Sequence, residues 1–166
     1  MMTDNKKAAV FFVGNRLMLD EGIGPAVYDE ITENYIVPEN VLLFDVGCMS
    51  LDMLPHVESC DFILTVDAVN GTGDPAGTVY RFPPDAMARH SGAMASLHDL
   101  KLVDLFDAAT LVGYEAEGFC VGMQVENMYP EEYVLDLTPP VRKALPLLVE
   151  TTVAELARRG FVLEKK

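Results

Sequence analysis

Short apolar runs separated by amphipathic stretches recur along the whole chain. Ala8-Ala9-Val10-Phe11-Phe12-Val13-Gly14 is the first such run, and Val41-Leu42-Leu43-Phe44-Asp45-Val46 the second. Phe62-Ile63-Leu64-Thr65-Val66-Asp67 and Gly118-Phe119-Cys120-Val121-Gly122-Met123-Gln124-Val125 follow. Each is continuous rather than alternating and rich in branched or aromatic residues, which predicts strands covered on both faces. Thr78-Val79-Tyr80-Arg81-Phe82 is predicted as a further strand at a sheet edge.

Helices are predicted between the strands. Ile23, Val27 and Ile31 share one face, Pro25 suits a first turn, and Pro38 forbids a long continuation. Ser50 can cap a short helix reaching about His56, and Ser96-x-x-Asp99 is a capping box ahead of Leu100, Val103 and Phe106. A last helix carries Leu145, Leu148, Val149, Val153 and Leu156 on one side and stops at Gly160, with Pro146 expected to start or kink it. This alternation predicts an α/β fold, a single domain over residues 1–166 with a twisted, mostly parallel sheet between two helical layers. Function in such folds gathers where the carboxyl ends of strands meet the following loops. The polar residues predicted there are Asn15, Asp45, Asp67 and Glu126.

Composition agrees with a globular chain, being 50 % hydrophobic and 23 % charged. No apolar run approaches the roughly 18–20 residues of a membrane span, so no membrane insertion is expected. The first residues lead into the first strand with no signal-peptide pattern, and a cytoplasmic protein is the expectation. The net charge of -14 repels phosphate backbones, which argues against nucleic acid as a partner. Six of the twelve basic residues fall in the last 25 positions, leaving the rest strongly acidic. Cys48, Cys60 and Cys120 show no CxxC pairing, and Cys60 and Cys120 are expected as small buried hydrophobes.

Three positions could carry chemistry. The acidic pair Asp20-Glu21 stands where the turn after the first strand meets a helix, a place that also suits helix-start carboxylates. Asp67 is expected to end an otherwise apolar strand, either as a ligand or in an Asx-type turn toward Asn70-Gly71. His98 falls in the first turn of the helix opened by Ser96, where the helix dipole favours the neutral imidazole that a metal requires, and where a surface histidine is equally at home. Two carboxylates and an imidazole at one sheet edge make a candidate open site for a divalent metal of borderline hardness.

The chain also resembles the hydrogenase maturation proteases, the endopeptidases that trim the C-terminus of the large subunit of [NiFe] hydrogenases. The resemblance runs through Val13-Gly14-Asn15, Asp20-Glu21-Gly22-Ile23-Gly24, Asp45-x-Gly47, Asp67-Ala68, Pro75-Ala76-Gly77-Thr78, Leu97-His98-Asp99-Leu100 and Leu137-Thr138-Pro139. It implies that Glu21, Asp67 and His98 contact nickel, that the nickel is presented by the precursor large subunit, and that other divalent metals can occupy the site in vitro. It keeps Asp45 as a candidate catalytic or substrate-recognition residue, whereas Asp45-Val46-Gly47-Cys48 departs from the family's usual turn and makes Cys48 a candidate extra soft ligand near the site. A noncatalytic checkpoint or chaperone that binds the large subunit without cutting it is the alternative.

Overall fold

The computed structural model describes residues 6–47, 54–83 and 116–166, apart from the side chains of Leu54 and Val57. The capping box at Ser96, His98, Cys48 and the Ser50 cap lie outside the described residues.

Four parallel strands and one antiparallel edge strand form the main sheet, in the order β3-β1-β4-β6-β5. They are β1 (Ala8–Val13), β3 (Val41–Val46), β4 (Phe62–Val69), β6 (Glu117–Gln124) and β5 (Val79–Phe82). All four strands expected to be covered on both faces are present, but β3 lies at one edge of the sheet and is only partly buried, and the strand predicted at an edge forms the other. The direction in which strands are added reverses at β1, because β3 lies on one side of it and β4 on the other. The gap between β1 and β4 is therefore the switch point of a doubly wound sheet. A small antiparallel pair, β2 (Tyr35–Ile36) with β7 (Glu164–Lys165), lies apart from it.

Helix α1 (Ile23–Asn34) and helix α3 (Pro139–Arg158) pack on one face of the sheet. Their Ile23, Val27, Ile31, Leu145, Leu148 and Leu156 meet Val10, Phe12, Leu64, Val66 and Met123 in the larger core. The other face holds Ala9, Phe11, Val13, Ile63 and Cys120 in a smaller core. Helix α2 (Leu54–Ser59) sets the His56 ring 4.3 Å from Phe44 on that side. Cys60 and Cys120 are buried as expected, and burial pushes the Cys60 thiol above its ordinary pKa.

Helix α3 does not start at Pro146, one of the two alternatives expected for that proline. It begins at Pro139 and runs through Pro146 without ending. An interior proline costs about 3 kcal/mol, but Val141, Leu145, Leu148 and Val149 bury a continuous stripe on the sheet on both sides of it. Burying each such side chain contributes about 1.5–3 kcal/mol, which outweighs the break. At the far end, Glu155 is fully buried and ion-paired with Arg81 of β5 and with Arg158 and Arg159. The Arg159 guanidinium also lies over the rings of Phe62 and Phe119, 4.5 and 4.8 Å from their centroids. Apolar periodicity alone gave no hint of this buried carboxylate.

Candidate active site at the sheet switch point

The turn that leaves β1 is built to hold acids against the sheet. Gly14 has φ +140°, and a Cβ there would come within 1.9 Å of the Glu21 carbonyl oxygen. Asn15 accepts from the Leu17 amide at 2.9 Å, closing the first bend. A single 3-10 turn, Leu19–Gly22, then presents Asp20 and Glu21. Leu19 enters it at φ 53°, a left-handed conformation unusual for a leucine, held by its amide donating to Val134. Helix α1 follows at once, and Gly24 brings it onto the strands. A Cβ on Gly24 would stand 2.2 Å from the Val13 carbonyl oxygen and 2.9 Å from that of Val66.

Asp20 is fully buried. One carboxylate oxygen accepts from the amides of Glu126 and Asn127, both at 2.9 Å, and the other from the Thr138 amide at 2.8 Å. The Thr138 hydroxyl donates to the same carboxylate. Thr138 is the N-cap of α3, yet its hydroxyl caps nothing within the helix. Pro139 and Pro140 have no N–H to satisfy, so Asp20 supplies the negative charge that this helix end favours. The sequence placed Asp20 as a helix-start residue for α1. The structure makes it the partner of a helix start more than a hundred residues away.

Glu21 follows directly, half-buried on the 3-10 turn, which packs against β4. Asp67 lies on β4 and is buried. It does not end the strand, because main-chain pairing with β6 continues through Ala68 and Val69. Its Oδ1 accepts from the Ala68 amide at 2.7 Å, so no Asx turn reaches Gly71; Asn70 itself accepts from the Gly71 amide. Glu21 and Asp67 thus stand at the carboxyl ends of the two strands that flank the switch point. His98, the third sequence candidate, lies outside the described residues. Among the described residues, no three His, Cys, Asp or Glu side chains converge to hold a metal.

Asp45 faces the other way. It pairs with Phe12 across the β1–β3 ladder, and paired residues share a face. Phe12 belongs to the α1 side, whereas Asp67 alternates with Val66 and Ala68 and projects to the opposite side. Arg16 engages Asp45 at 2.6 Å and Asp29 of α1 through both oxygens at 2.5 and 3.0 Å. Those hydrogen bonds, to Asp29 first and then Asp45, raise the Arg16 pKa further above its ordinary value. Arg16 had no part in the sequence reading, and a lone arginine after a glycine turn gave no signal that it would join three segments.

Of the acids at this end of the sheet, Asp20 is bonded to the 126–127 and 138 amides and Asp45 to Arg16, while Glu21 and Asp67 are the two carboxylates that the resemblance assigns to a metal. Oxygen donors of this kind suit divalent metals, and an imidazole beside them would shift preference toward the borderline ions. The buried Asp67, oriented by its own neighbouring amide, fits a ligand whose position is set before anything binds.

Fold and site together define a doubly wound α/β protein with carboxylates, Glu21 and Asp67, on the segments that flank its switch point. The hydrogenase maturation protease family model matches residues 25–155. The hydrogenase expression/formation protein HoxM of Azotobacter vinelandii is 32 % identical over 152 residues, 90 % of this chain and 72 % of that one. The hydrogenase 2 maturation protease of Escherichia coli K12 is 26 % identical, covering 91 % of each. The solved hydrogenase maturating endopeptidase HybD of E. coli superposes with a TM-score of 0.86 at 25 % identity, over 96 % of this chain and 98 % of that one. The chain belongs to the hydrogenase maturation protease family, and it is an endopeptidase.

Proposed function

We propose that this protein removes a C-terminal peptide from the precursor large subunit of a [NiFe] hydrogenase, after nickel has been inserted. The observation that carries the reading is the placement of Glu21 and Asp67 on the flanks of the switch point, on the two segments that the family resemblance assigns to nickel contact. His98 completes that set by resemblance. Nickel is part of the substrate here, held by the precursor and touched by the enzyme. Its contact with Glu21 and Asp67 would anchor the scissile bond in one place, and fixing a reacting group can remove several kcal/mol from a barrier. Water adds across the peptide bond, leaving a new carboxyl on the subunit and a new amine on the released peptide. Other divalent metals would occupy the same donors in vitro. The cytoplasm is the proposed compartment; among the described residues, no helix is long and apolar enough to cross a membrane.

Intact mass spectrometry tests this directly. A nickel-loaded precursor incubated with the protein should lose its C-terminal peptide, and a nickel-free precursor should not. Cleavage of both forms equally would remove nickel gating. Stable binding of the loaded form without cleavage would replace the reading by a noncatalytic checkpoint.

A further inference from the structure

Between the end of β6 and the start of α3, residues 125–138 form a segment fastened to the rest of the protein at both ends and at its middle. Asp20 holds the amides of Glu126, Asn127 and Thr138. Val134 exchanges main-chain hydrogen bonds with the turn after β1, donating to Leu17 at 2.8 Å and accepting from Leu19 at 3.1 Å. A backbone so pinned nevertheless points large apolar side chains at solvent. Tyr129 is 68 % exposed, Tyr133 76 % and Leu135 76 %, with Leu17 beside them at 40 %. Half of the exposed large hydrophobics among the described residues fall on these two paired segments, so they form a patch rather than a scatter. Beside Leu135, a shallow cleft of about 160 Å³ has an apolar part formed by Leu19, Ala26, Leu135 and Leu137, with the ion-paired Arg16–Asp29 and Arg142–Asp136 also in its lining. Leu19 and Gly22 bracket Glu21, so the patch reaches the turn that carries Glu21. The rim is acidic: Glu126, Glu131 and Glu132 are exposed, and none is in an ion pair among the described residues.

We propose that the 129–135 segment with Leu17 is the docking surface for the precursor large subunit, and that it takes a stretch of that subunit carrying apolar side chains flanked by lysine or arginine. This assignment rests on the function proposed above and names the part of the enzyme that selects its substrate. Apolar anchors seated in a cleft provide affinity, and rim charges of opposite sign provide orientation and encounter rate. The active site needs the substrate chain to arrive from one side in one direction. A patch that ends at the Glu21 turn sets that direction.

The probe is the [NiFe]-hydrogenase large-subunit precursor of the same organism, loaded with nickel and with its C-terminal extension intact. Its affinity is measured by biolayer interferometry for the wild-type protein and for Tyr133→Ser/Leu135→Ser, Glu131→Lys/Glu132→Lys and, as a control on a different surface, Leu147→Ser/Val162→Ser. The first pair should bind at least about tenfold more weakly. The charge-reversed pair should bind more weakly at low salt, with the difference shrinking as screening rises. The control should bind as the wild type does, and all four should melt together. Unchanged affinity in the first two, or the same loss in the control, overturns the docking assignment. Absence of any complex with wild-type protein overturns it as well. A wild-type dimer in light scattering that the Tyr133→Ser/Leu135→Ser pair abolishes would reassign the patch to self-association. Cleavage by the wild type, read by mass in parallel, reports on the proposed function separately, because binding can be scored whether or not the peptide is released.

Discussion

Asp20 and Thr138 are 118 residues apart in sequence, yet the amide and hydroxyl of the threonine both donate to the buried carboxylate. Through this contact the turn that carries Glu21 and the first turn of α3 are one rigid unit. Asp20→Ala would leave three part-buried amides without this acceptor, each costing about 1 kcal/mol. Chemical denaturation should show a loss of at least about 3 kcal/mol. Asp20→Asn keeps the shape but turns a donor toward those amides, and should fall between the wild type and Asp20→Ala.

Asp67→Asn and Glu21→Gln keep side-chain size and remove charge. Melting temperature should change little for either. Release of the C-terminal peptide from the nickel-loaded precursor should drop by about tenfold or more. Unimpaired processing by both variants would sink the ligand assignment.

Gly24→Ala is predicted to be severe for a different reason. The new methyl group would meet main-chain atoms of Val13 and Val66, and no flexible side chain is there to yield. Helix α1 would have to move off the strands, at a cost of about 3 kcal/mol or more. Soluble yield and a thermal melt decide this; a Gly24→Ala protein as stable as the wild type would show that the helix can shift.

Arg16→Met removes the bridge between Asp29 and Asp45 while keeping the aliphatic stem. Both ion pairs are substantially exposed, so the stability loss should be only about 0–1 kcal/mol. If Asp45 serves substrate recognition from a fixed position, processing should fall in Arg16→Met and in Asp45→Asn to a similar degree, with no further loss in the double variant.

Burial raises the Cys60 pKa, so the thiolate is scarce at neutral pH and the sulfur is shielded. Iodoacetamide at pH 8 should label Cys60 far more slowly in the folded protein than in denaturant, as read by peptide mapping. Rapid labelling of the native protein would show that β4 opens at its start.

Strands β1 and β4 were legible because each is buried on both faces and reads as an unbroken apolar run. The β2–β7 pair was not, since two residues per strand carry no period. The start of α3 was missed because its cap does not act as a local cap: Thr138 turns its hydroxyl to Asp20 rather than to its own helix. For the site, acids at predicted strand ends drew attention to one edge of the sheet, but alternation within β1, β3 and β4 decides that Asp45 and Asp67 face opposite sides. That distinction depends on register, which apolar composition does not encode when both faces are covered. The partners of Asp20 and Arg16 are long-range contacts and leave no trace in spacing.

Helix α3 is made after the rest of the main sheet, and it supplies one wall of the larger core and sends Glu155 to Arg81, while its cap Thr138 fastens Asp20. While the ribosome is still reading the codons for this helix, the strands already made have an uncovered apolar face, and the Glu21 turn is not yet fastened. The protein therefore completes the sheet end that carries the candidate site only once α3 has emerged, and a truncated product lacking that helix would be a target for chaperones rather than a weak protease.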